Sequence, residues 1–346
     1  MVANVAFCAD LHFGKKNNNE RHNQLLCKFI ENTIDDLNER GIENLIIAGD
    51  YFDNRQQINV KTLHYGIKAA SDLKERYKGR VWLLVGNHDI YHRDRLDIAS
   101  TEALEPYMSV VDEEQTVLMH DHMVQMVPWI CDQEHWERVV EQSKSAEYCF
   151  GHFEFSQFRM NENYIMEHGQ THRELHELKR VLTGHFHSRQ FKDNVVYIGS
   201  PFQFDMNDSD DFERGYGIID LDTNEIEFVD SYLTNIRTID YKQLLDGSSD
   251  RYLNDDNASI RVVFEEEVDD DILQEVSEKL ESSKILESKI KYKPQKIKDY
   301  IESDVEVKEV ENIDDAVLEY INSSKLPDEY DKDILIEEYK EAMQYD

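Results

Sequence analysis

The feature of this sequence that most constrains its fold is an alternation of short apolar runs and amphipathic segments in the first quarter of the chain. Apolar runs cover residues 2–9, 45–48 and 81–85, and the segments 21–40 and 60–77 between them carry apolar residues at helical spacing. This β-α-β-α-β order predicts a parallel sheet, because each helical crossover returns the chain to the same end of the sheet. Polar residues follow each run, at the strand ends where open α/β sheets carry their functional sites.

The middle of the chain is richer in strand candidates than in helix candidates. Helical spacing is present at residues 133–144 and 173–179. The short strand candidates are residues 124–127, 148–150, 181–183, 195–198, 216–221 and 225–229. We therefore predict an α/β fold whose core is a two-layer β-sandwich flanked by helices.

The character of the sequence changes after residue 232. Strand candidates at 260–264 and 285–292 flank a helix candidate at 271–280, and this order predicts a small α+β domain. Two amphipathic helix candidates end the chain, with Pro327 in the turn between them. We predict four segments, which are a main domain over 1–232, a capping domain over 233–298, a charged linker over 299–311 and a helical pair over 312–346.

The composition is strongly acidic. The 346 residues include 73 acidic and 38 basic side chains, which gives a formal net charge of −35. A field of that sign repels polyphosphate backbones, so composition alone argues against a nucleic-acid substrate. The four cysteines lie far apart and form no CxxC pair, which argues against a disulfide framework or a thiolate zinc site. The N-terminal run is typical of a buried strand rather than a signal peptide, and no apolar run reaches the length of a membrane span, so we expect a cytoplasmic protein without membrane partners.

Five short polar motifs follow apolar runs in order along the chain. They are DLH at 10–12, GDYFD at 49–53, GNHD at 86–89, GH at 151–152 and GHFH at 184–187. Carboxylate, imidazole and amide groups together suit divalent ions such as Mn²⁺, Fe²⁺ or Zn²⁺. One carboxylate can bridge two ions about 3.5 to 4 Å apart, a pair that holds a phosphate group and activates water. The motifs therefore predict a two-metal site for phosphoester chemistry.

These motifs resemble those of the calcineurin-type metallophosphoesterase superfamily. Further stretches, PWIC at 128–131, GHFE at 151–154 and YIGSP at 197–201, are similar to those of SbcD-like DNA double-strand-break nuclease subunits, most closely the bacteriophage recombination endonuclease branch. The resemblance covers roughly residues 1–230. It implies a metal-dependent exo- or endodeoxyribonuclease that acts on DNA ends as a subunit of an SbcC–SbcD-like recombination and repair complex.

The resemblance also implies a set of site residues. One ion takes Asp10, His12, Asp50 and His187, and the other takes Asp50, Asn87, His152 and His185, with Asp50 bridging the two ions. It implies two divalent ions per chain, Mn²⁺ before Mg²⁺, Fe²⁺ or Zn²⁺.

Two further residues of the GNHD motif receive catalytic roles from the resemblance. His88 faces the scissile phosphate and stabilises or protonates the leaving oxygen. Asp89 holds His88 in its working tautomer. Asp53 stands where cellular members of the family often have a histidine, and we assign it no phosphate-binding role.

Basic residues in the loops after the first three motifs have two open interpretations. Lys15 and Lys16, together with Arg55, Arg93 and Arg95, either contact the phosphate backbone of DNA or are ordinary surface charges. Histidines also recur outside the motifs, and we expect a solvated surface rather than a second metal site there. They are His120 and His122 in one segment and His168, His172 and His176 in another.

The resemblance implies DNA and an SMC-like coiled-coil ABC ATPase subunit (SbcC-like) as partners, and it suggests a homodimer. The C-terminal helices at 312–346 either bind that ATPase or pack on their own chain. Two other functions remain open at this point. One is a phosphomonoesterase or small-nucleotide phosphodiesterase on the same fold, which the acidic composition favours, and the other is a non-catalytic DNA-end scaffold.

Overall fold

The computed structural model describes residues 3–161, 164–266 and 268–292. The chain divides into a unit of residues 1–293 and a second unit of residues 294–346. The predicted linker at 299–311 and the predicted helical pair at 312–346 therefore lie outside the described residues.

The first sheet has six strands, which are β1 (Asn4–Cys8), β2 (Asn44–Ile47), β3 (Arg80–Leu84), β4 (Ser109–Val111), β13 (Gly215–Asp220) and β14 (Ile226–Asp230). Their order across the sheet is β14-β13-β1-β2-β3-β4. Strands β1 to β4 pair in parallel, as the crossover pattern predicts, whereas β13 runs antiparallel to β1 and β14 antiparallel to β13.

The second sheet also has six strands, which are β5 (Gln115–Met119), β6 (His122–Val127), β7 (Tyr148–His152), β10 (Arg180–Gly184), β11 (Gln190–Lys192) and β12 (Val195–Tyr197). Their order across the sheet is β11-β12-β10-β7-β6-β5. The four central strands pair in parallel, and an antiparallel strand closes each edge. A separate hairpin follows β7 and consists of β8 (Arg159–Asn161) and β9 (Tyr164–Ile165).

The two sheets pack face to face, as the two-layer sandwich requires. Side chains alternate along β1, so that Val5 and Phe7 lie in the core between the sheets while Ala6 and Cys8 face the outer helices. Those helices are α1 (Glu20–Arg40) and α2 (Val60–Arg76), and α3 (Gln133–Ser143) contributes to a core on the other face of the second sheet. Both faces of β1, β2 and β7 are thus buried, which explains their nearly continuous apolar runs.

The residues after the second sheet build a smaller layer of three parallel strands. They are β15 (Asn235–Asp240), β16 (Ala258–Phe264) and β17 (Glu287–Tyr292), with short helices α4 (Tyr241–Leu245) and α5 (Asp250–Leu253) and a longer helix α6 (Asp270–Glu281). Strand β15 is absent from the sequence-based prediction because its residues do not form a continuous apolar run. Gln203 ties this layer to the sandwich: its amide nitrogen donates to the Ile236 carbonyl at 2.9 Å, and its amide oxygen accepts from the Ile236 N–H at 2.9 Å.

Two predictions for the histidine-rich segment are wrong. The helix predicted at 173–179 is a short 3₁₀ turn, His172–Leu175, because burial of Leu175 and Leu178 at a spacing of three residues needs only one tight turn. His172 is buried rather than solvated, with its Nε2 2.8 Å from Asp193 Oδ2. His168 and His176 are exposed, as expected.

The pair of histidines at the start of β6 is also less solvated than predicted. His122 is half-buried, with Glu147 Oε2 3.1 Å from its Nδ1 and Asp222 Oδ1 3.0 Å from its Nε2. None of the helices in the described ranges combines the length and apolar character that crossing a membrane requires.

Candidate metal centre

The carboxyl ends of five parallel strands meet at one edge of the sandwich. Strands β1, β2 and β3 of the first sheet are followed there by Asp10, Asp50 and Asn87, while β7 ends in His152 and β10 is followed by His185. The register of β7 and β10 pairs His152 with Gly184, which places the two histidines side by side. The fold thus collects polar residues that are up to 175 positions apart in sequence.

The backbone is strained where it presents these side chains. Asp10, His12, Asp50 and His185 have φ angles of 56°, 51°, 55° and 96°, in the left-handed region that side chains with a Cβ rarely occupy. Each such residue costs on the order of 1–3 kcal/mol and persists only where the surrounding structure enforces it. Four of them in one cluster indicate a functional site.

Two glycines leave space that this cluster needs. A Cβ on Gly49, whose φ is +89°, would lie 2.2 Å from His152 Nδ1. A Cβ on Gly86 would lie 2.2 Å from Asp50 Oδ1. Both positions therefore require glycine for close approach between strand ends.

The first group of converging side chains contains Asp10, His12 and His187, with Asp50 beside it. Ligand atoms of Asp10, His12 and His187 all lie within 4.8 Å of one another. His12 Nε2 is 3.1 Å from His187 Nε2 and 3.6 Å from Asp50 Oδ2. Ligands about 2.1 Å from one ion are separated from each other by roughly 3.0 to 3.4 Å, so these spacings suit a single metal ion.

The second group contains Asp50, His152 and His185, with Asn87 between the histidines. His152 Nε2 lies 2.9 Å from Asn87 Oδ1 and 3.4 Å from Asp50 Oδ2. His185 Nδ1 lies 3.0 Å from Asn87 Oδ1. Asp50 lies between the two groups, with its Oδ2 3.6 Å from His12 Nε2 and 3.4 Å from His152 Nε2, which is the position of a bridging carboxylate.

Hydrogen bonds behind the histidines decide which ring nitrogen faces the centre. His152 Nδ1 lies 2.7 Å from the Ala48 carbonyl oxygen, so it carries the proton and leaves the Nε2 lone pair facing Asp50 and Asn87. His185 is held in the same way by Glu154, whose Oε2 is 3.2 Å from Nε2. Imidazole nitrogens, an amide oxygen and a carboxylate that converge on one point can all bind a cation there, so the donor set fits divalent metal ions.

Burial and mutual repulsion perturb the titration of these groups. Burial, reinforced by the charge of Asp50, raises the pKa of Asp10 to about 7. Burial lowers the pKa of His12 to about 4. Burial also disfavours protonation of His152, but the neighbouring Asp50 outweighs it and raises the pKa of His152 to about 9. A divalent cation at the centre would favour the ionised carboxylates and the neutral imidazoles that metal binding needs.

Comparison with known proteins identifies the family. Residues 3–189 match the calcineurin-like phosphoesterase family. The chain belongs to this family. Its members use divalent metal ions, and this phosphoesterase has candidate groups to hold them.

Individual relatives agree with the family assignment. The phosphoesterase is 31% identical over 333 residues to "Exonuclease subunit 1" of Enterobacteria phage T4, which covers 94% of this chain and 93% of the phage protein. It is 24% identical over 214 residues to a protein of Invertebrate iridescent virus 3 described as a phosphoesterase, over 58% of this chain and 57% of that protein. Among solved structures, a protein of unknown function from Aquifex aeolicus, AQ665, matches with 16% identity and a TM-score of 0.29, over 45% of this chain and 81% of that one.

The structure places His88 at the centre of the phosphoesterase but gives it a different partner from the one predicted. The His88 N–H donates to Asp50 Oδ1 at 2.8 Å, and its Nδ1 lies 2.6 Å from the Asp53 carbonyl oxygen. The prediction that Asp89 holds His88 is wrong. The buried Asp89 carboxylate instead accepts from the backbone N–H groups of Tyr51, Phe52 and Gly86, at 3.3, 3.1 and 3.0 Å.

Two carboxylates behind the histidines were missed by the sequence interpretation. Asp53 Oδ1 lies 3.1 Å from His12 Nδ1, and Glu154 lies behind His185. Carboxylates commonly orient metal-bound histidines in this way. Their positions in the sequence could have indicated this role, because Asp53 lies in the GDYFD motif and Glu154 in the GHFE motif, both of which the sequence analysis had identified.

The basic residues divide into two classes. Lys15 Nζ lies 3.7 Å from Asp53 Oδ1 and 5.2 Å from the centre of the Phe204 ring, at the edge of the metal centre. Burial, with the nearby charge of Arg93, lowers the pKa of Arg55, and the opposing effect of Asp50 shows that Arg55 also lies near the centre. Arg95 is exposed and lies 3.3 Å from Asp97, in a surface ion pair.

Proposed function

We propose that this phosphoesterase is a metal-dependent DNA nuclease that hydrolyses phosphodiester bonds with two divalent ions, Mn²⁺ first among them. The observation that carries the proposal is the pair of ligand groups with Asp50 between them, since its Oδ2 lies within 3.6 Å of a histidine nitrogen of each group. A carboxylate common to two sites is the arrangement that clamps one phosphate group between two ions.

In this proposal each ligand keeps the role that the motifs suggest. One ion is held by Asp10, His12, Asp50 and His187, and the other by Asp50, Asn87, His152 and His185. When bound, the two ions supply positive charge to the phosphate oxygens and acidify water for attack on phosphorus.

His88 supplies the proton chemistry. Its Nδ1 donates to the Asp53 carbonyl, so Nε2 is the nitrogen that would face a substrate phosphate. In the imidazolium form, which carries a proton on both nitrogens, Nε2 would give its proton to the leaving oxygen and the ring would return to the neutral form. Its ring packs edge-on against the His12 ring, with centroids 4.8 Å apart, so the imidazole is fixed beside the metal ligands. Asp89 acts one step further away, since it orders the loop that carries Asn87 and His88.

DNA is the proposed substrate because the relative that matches nearly the whole chain is named an exonuclease subunit. Lys15 and Arg55 lie near the metal centre, with Arg93 near Arg55, and they provide local positive charge against the acidic body of the protein. The same relative is named as a subunit, so we propose a partner subunit for this chain as well. The resemblance of its motifs to SbcD-like proteins makes an SMC-like ATPase the proposed partner, in the cytoplasm.

The domain division forms part of the proposal. Residues 1–232 would carry the chemistry, residues 233–298 would cap the DNA channel, and residues 312–346 would bind the ATPase after the linker at 299–311. Truncation near residue 300 should leave Mn²⁺ affinity unchanged and abolish binding of the ATPase. Equal ATPase affinity of the full and truncated chains would refute the role of the C-terminal segment.

A second function, hydrolysis of small nucleotides, is favoured by the net charge of −35. The two functions are separated by assaying purified protein with linear duplex DNA, single-stranded DNA and bis-p-nitrophenyl phosphate, each with Mn²⁺, Mg²⁺ or EDTA. The nuclease proposal predicts Mn²⁺-dependent DNA hydrolysis that His88→Ala removes while metal content stays constant. Hydrolysis of the small diester alone, with and without the partner ATPase, would support the second function instead.

A further inference from the structure

A cavity of ≈280 Å³ lies between the start of α1, the loop after β12 and the amino-terminal ends of the strands in the three-stranded layer. The phosphoesterase motifs contribute nothing to its lining. Polar and apolar residues both line it, and those that matter here are Lys16, Arg21, His22, Phe202, Phe204 and Leu286. A volume many times the ~30 Å³ that a water molecule occupies is sufficient for a ring system with an attached sugar.

Two buried polar atoms of this lining have no hydrogen-bond partner among the described residues. His22 is 4% exposed, and its Nε2 is buried and unpaired. The Nε of the adjacent Arg21 is also buried and unpaired, although its Nη2 donates to Asn257 Oδ1 at 2.6 Å. Leaving such groups unpaired costs about 1–3 kcal/mol each, so ordered water or a ligand usually pairs with them.

One wall of the cavity is aromatic and borders the metal centre. The Phe202 and Phe204 ring centroids lie 5.4 Å apart, and the His22 ring lies 5.1 Å from that of Phe204. On its other side the Phe204 ring lies 6.0 Å from the His12 ring and 5.4 Å from the His187 ring. A group bound in the cavity would therefore be one aromatic side chain away from the metal ligands.

The charges around the cavity favour an anionic ligand. Lys16 and Arg21 both line it, and Lys15 lies over the Phe204 ring. The carboxylate in the lining, Glu287, lies 3.2 Å from Lys289 Nζ and is neutralised by that ion pair. The start of α1 adds the partial positive charge of a long helix at its N-terminal end.

We propose that this cavity binds one unpaired nucleotide of the DNA strand whose phosphate is held at the metal centre. The base lies against the aromatic wall that contains Phe202 and Phe204, and a backbone phosphate faces Lys16. This inference rests on the proposed nuclease function and adds a requirement to it, because a base can reach the cavity only from an unstacked, single-stranded end.

The test compares a blocked cavity with an intact one in the metal-loaded enzyme. Leu286 is 50% exposed at the cavity, so Leu286→Trp fills the opening without disturbing a core, and Lys16→Gln removes an exposed charge. Leu118→Trp is the matched control, because Leu118 is also an exposed leucine but lies on β5, outside the lining of the cavity. Base–aromatic stacking is worth about 1–3 kcal/mol, which corresponds to a rise in KM of roughly 5-fold to 150-fold for a single-stranded oligonucleotide.

The expected result is a higher KM for the oligonucleotide in Leu286→Trp and Lys16→Gln, with kcat/KM for bis-p-nitrophenyl phosphate unchanged and Leu118→Trp like wild type. Unchanged oligonucleotide KM in both cavity variants would overturn this inference and leave the nuclease proposal intact. An equal loss on both substrates would place the effect at the metal centre and would also overturn it. Wild-type enzyme that cleaves the small diester but no oligonucleotide, with and without the partner ATPase, would overturn the nuclease proposal, and this inference with it.

Discussion

Removing the carboxylate behind one histidine should weaken the binding of one metal ion and leave the affinity for the other nearly unchanged. Asp53 lies 3.1 Å from His12 Nδ1, in the first ligand group. Glu154 lies 3.2 Å from His185 Nε2, in the second. We therefore expect Asp53→Ala to weaken the ion that His12 binds and Glu154→Ala to weaken the ion that His185 binds. Neither change touches a ligand atom.

The size of the effect follows from what each carboxylate does. Loss of a partner that orients a metal-bound histidine typically lowers metal affinity 10-fold to 100-fold. The Asp53 and Glu154 side chains are 26% and 31% exposed, so water can replace part of the interaction and the lower half of that range is expected. The predicted weakening is about 10-fold to 30-fold, or about 1.4 to 2 kcal/mol. The Asp53 carbonyl that holds His88 survives in Asp53→Ala because it belongs to the backbone.

The assay is a titration of the metal-free protein with Mn²⁺, in which calorimetry and electron paramagnetic resonance measure the binding of each ion. Each variant should show one binding step shifted to weaker affinity and one retained. Glu147→Ala is the matched control, because Glu147 lies 3.1 Å from His122 in the same geometry but outside the metal centre. The reasoning is refuted if both variants weaken the same step, or if neither differs from the control.

Three further outcomes are expected. Gly86→Ala should abolish binding of both ions in the same titration, because its Cβ would lie 2.2 Å from Asp50 Oδ1. His122→Gln should lower the free energy of unfolding more at about pH 5.5 than at about pH 9, as measured by urea unfolding at both pH values. Burial opposes protonation of His122, but two carboxylate contacts outweigh burial and raise its pKa. The stabilisation by His122 is therefore full below the pKa of the unfolded state and is lost as the pH rises through the pKa of the folded state. Arg214→Met should destabilise the fold by about 3 kcal/mol in the same urea assay, because the buried guanidinium lies 3.0 and 2.8 Å from two carboxylates that would lose their counter-charge.

The sandwich could be predicted because its strands carry strong local signals. The buried runs of β1, β2 and β3 are continuous in sequence, and the two helical segments between them carry apolar residues at helical spacing. Strand β15 had no such signal. The turn at His172–Leu175 differs from the predicted helix because tertiary burial of two leucines decided its conformation.

The metal ligands could be identified from the sequence because each lies at or after the end of a strand, and the carboxyl ends of parallel strands meet at one edge of the sheet. Their orienting partners could not, because those contacts depend on the register between neighbouring strands and on loop geometry. Glu154 reaches His185 only because β7 and β10 pair with His152 opposite Gly184. Asp89 shows the reverse case: its place beside His88 in sequence suggested a contact, whereas the tight turn points its carboxylate at backbone amides.

The shared carboxylate gives the most direct test of the whole account. Asp50→Asn keeps the size of the side chain but removes the charge common to both ligand groups. We would measure bound Mn²⁺ and the release of nucleotides from linear duplex DNA by the wild-type and variant proteins side by side. The account predicts Mn²⁺-dependent release by the wild type, and loss of both the ions and the release in Asp50→Asn. Release that persists in the variant, or that continues for the wild type in EDTA, would contradict it.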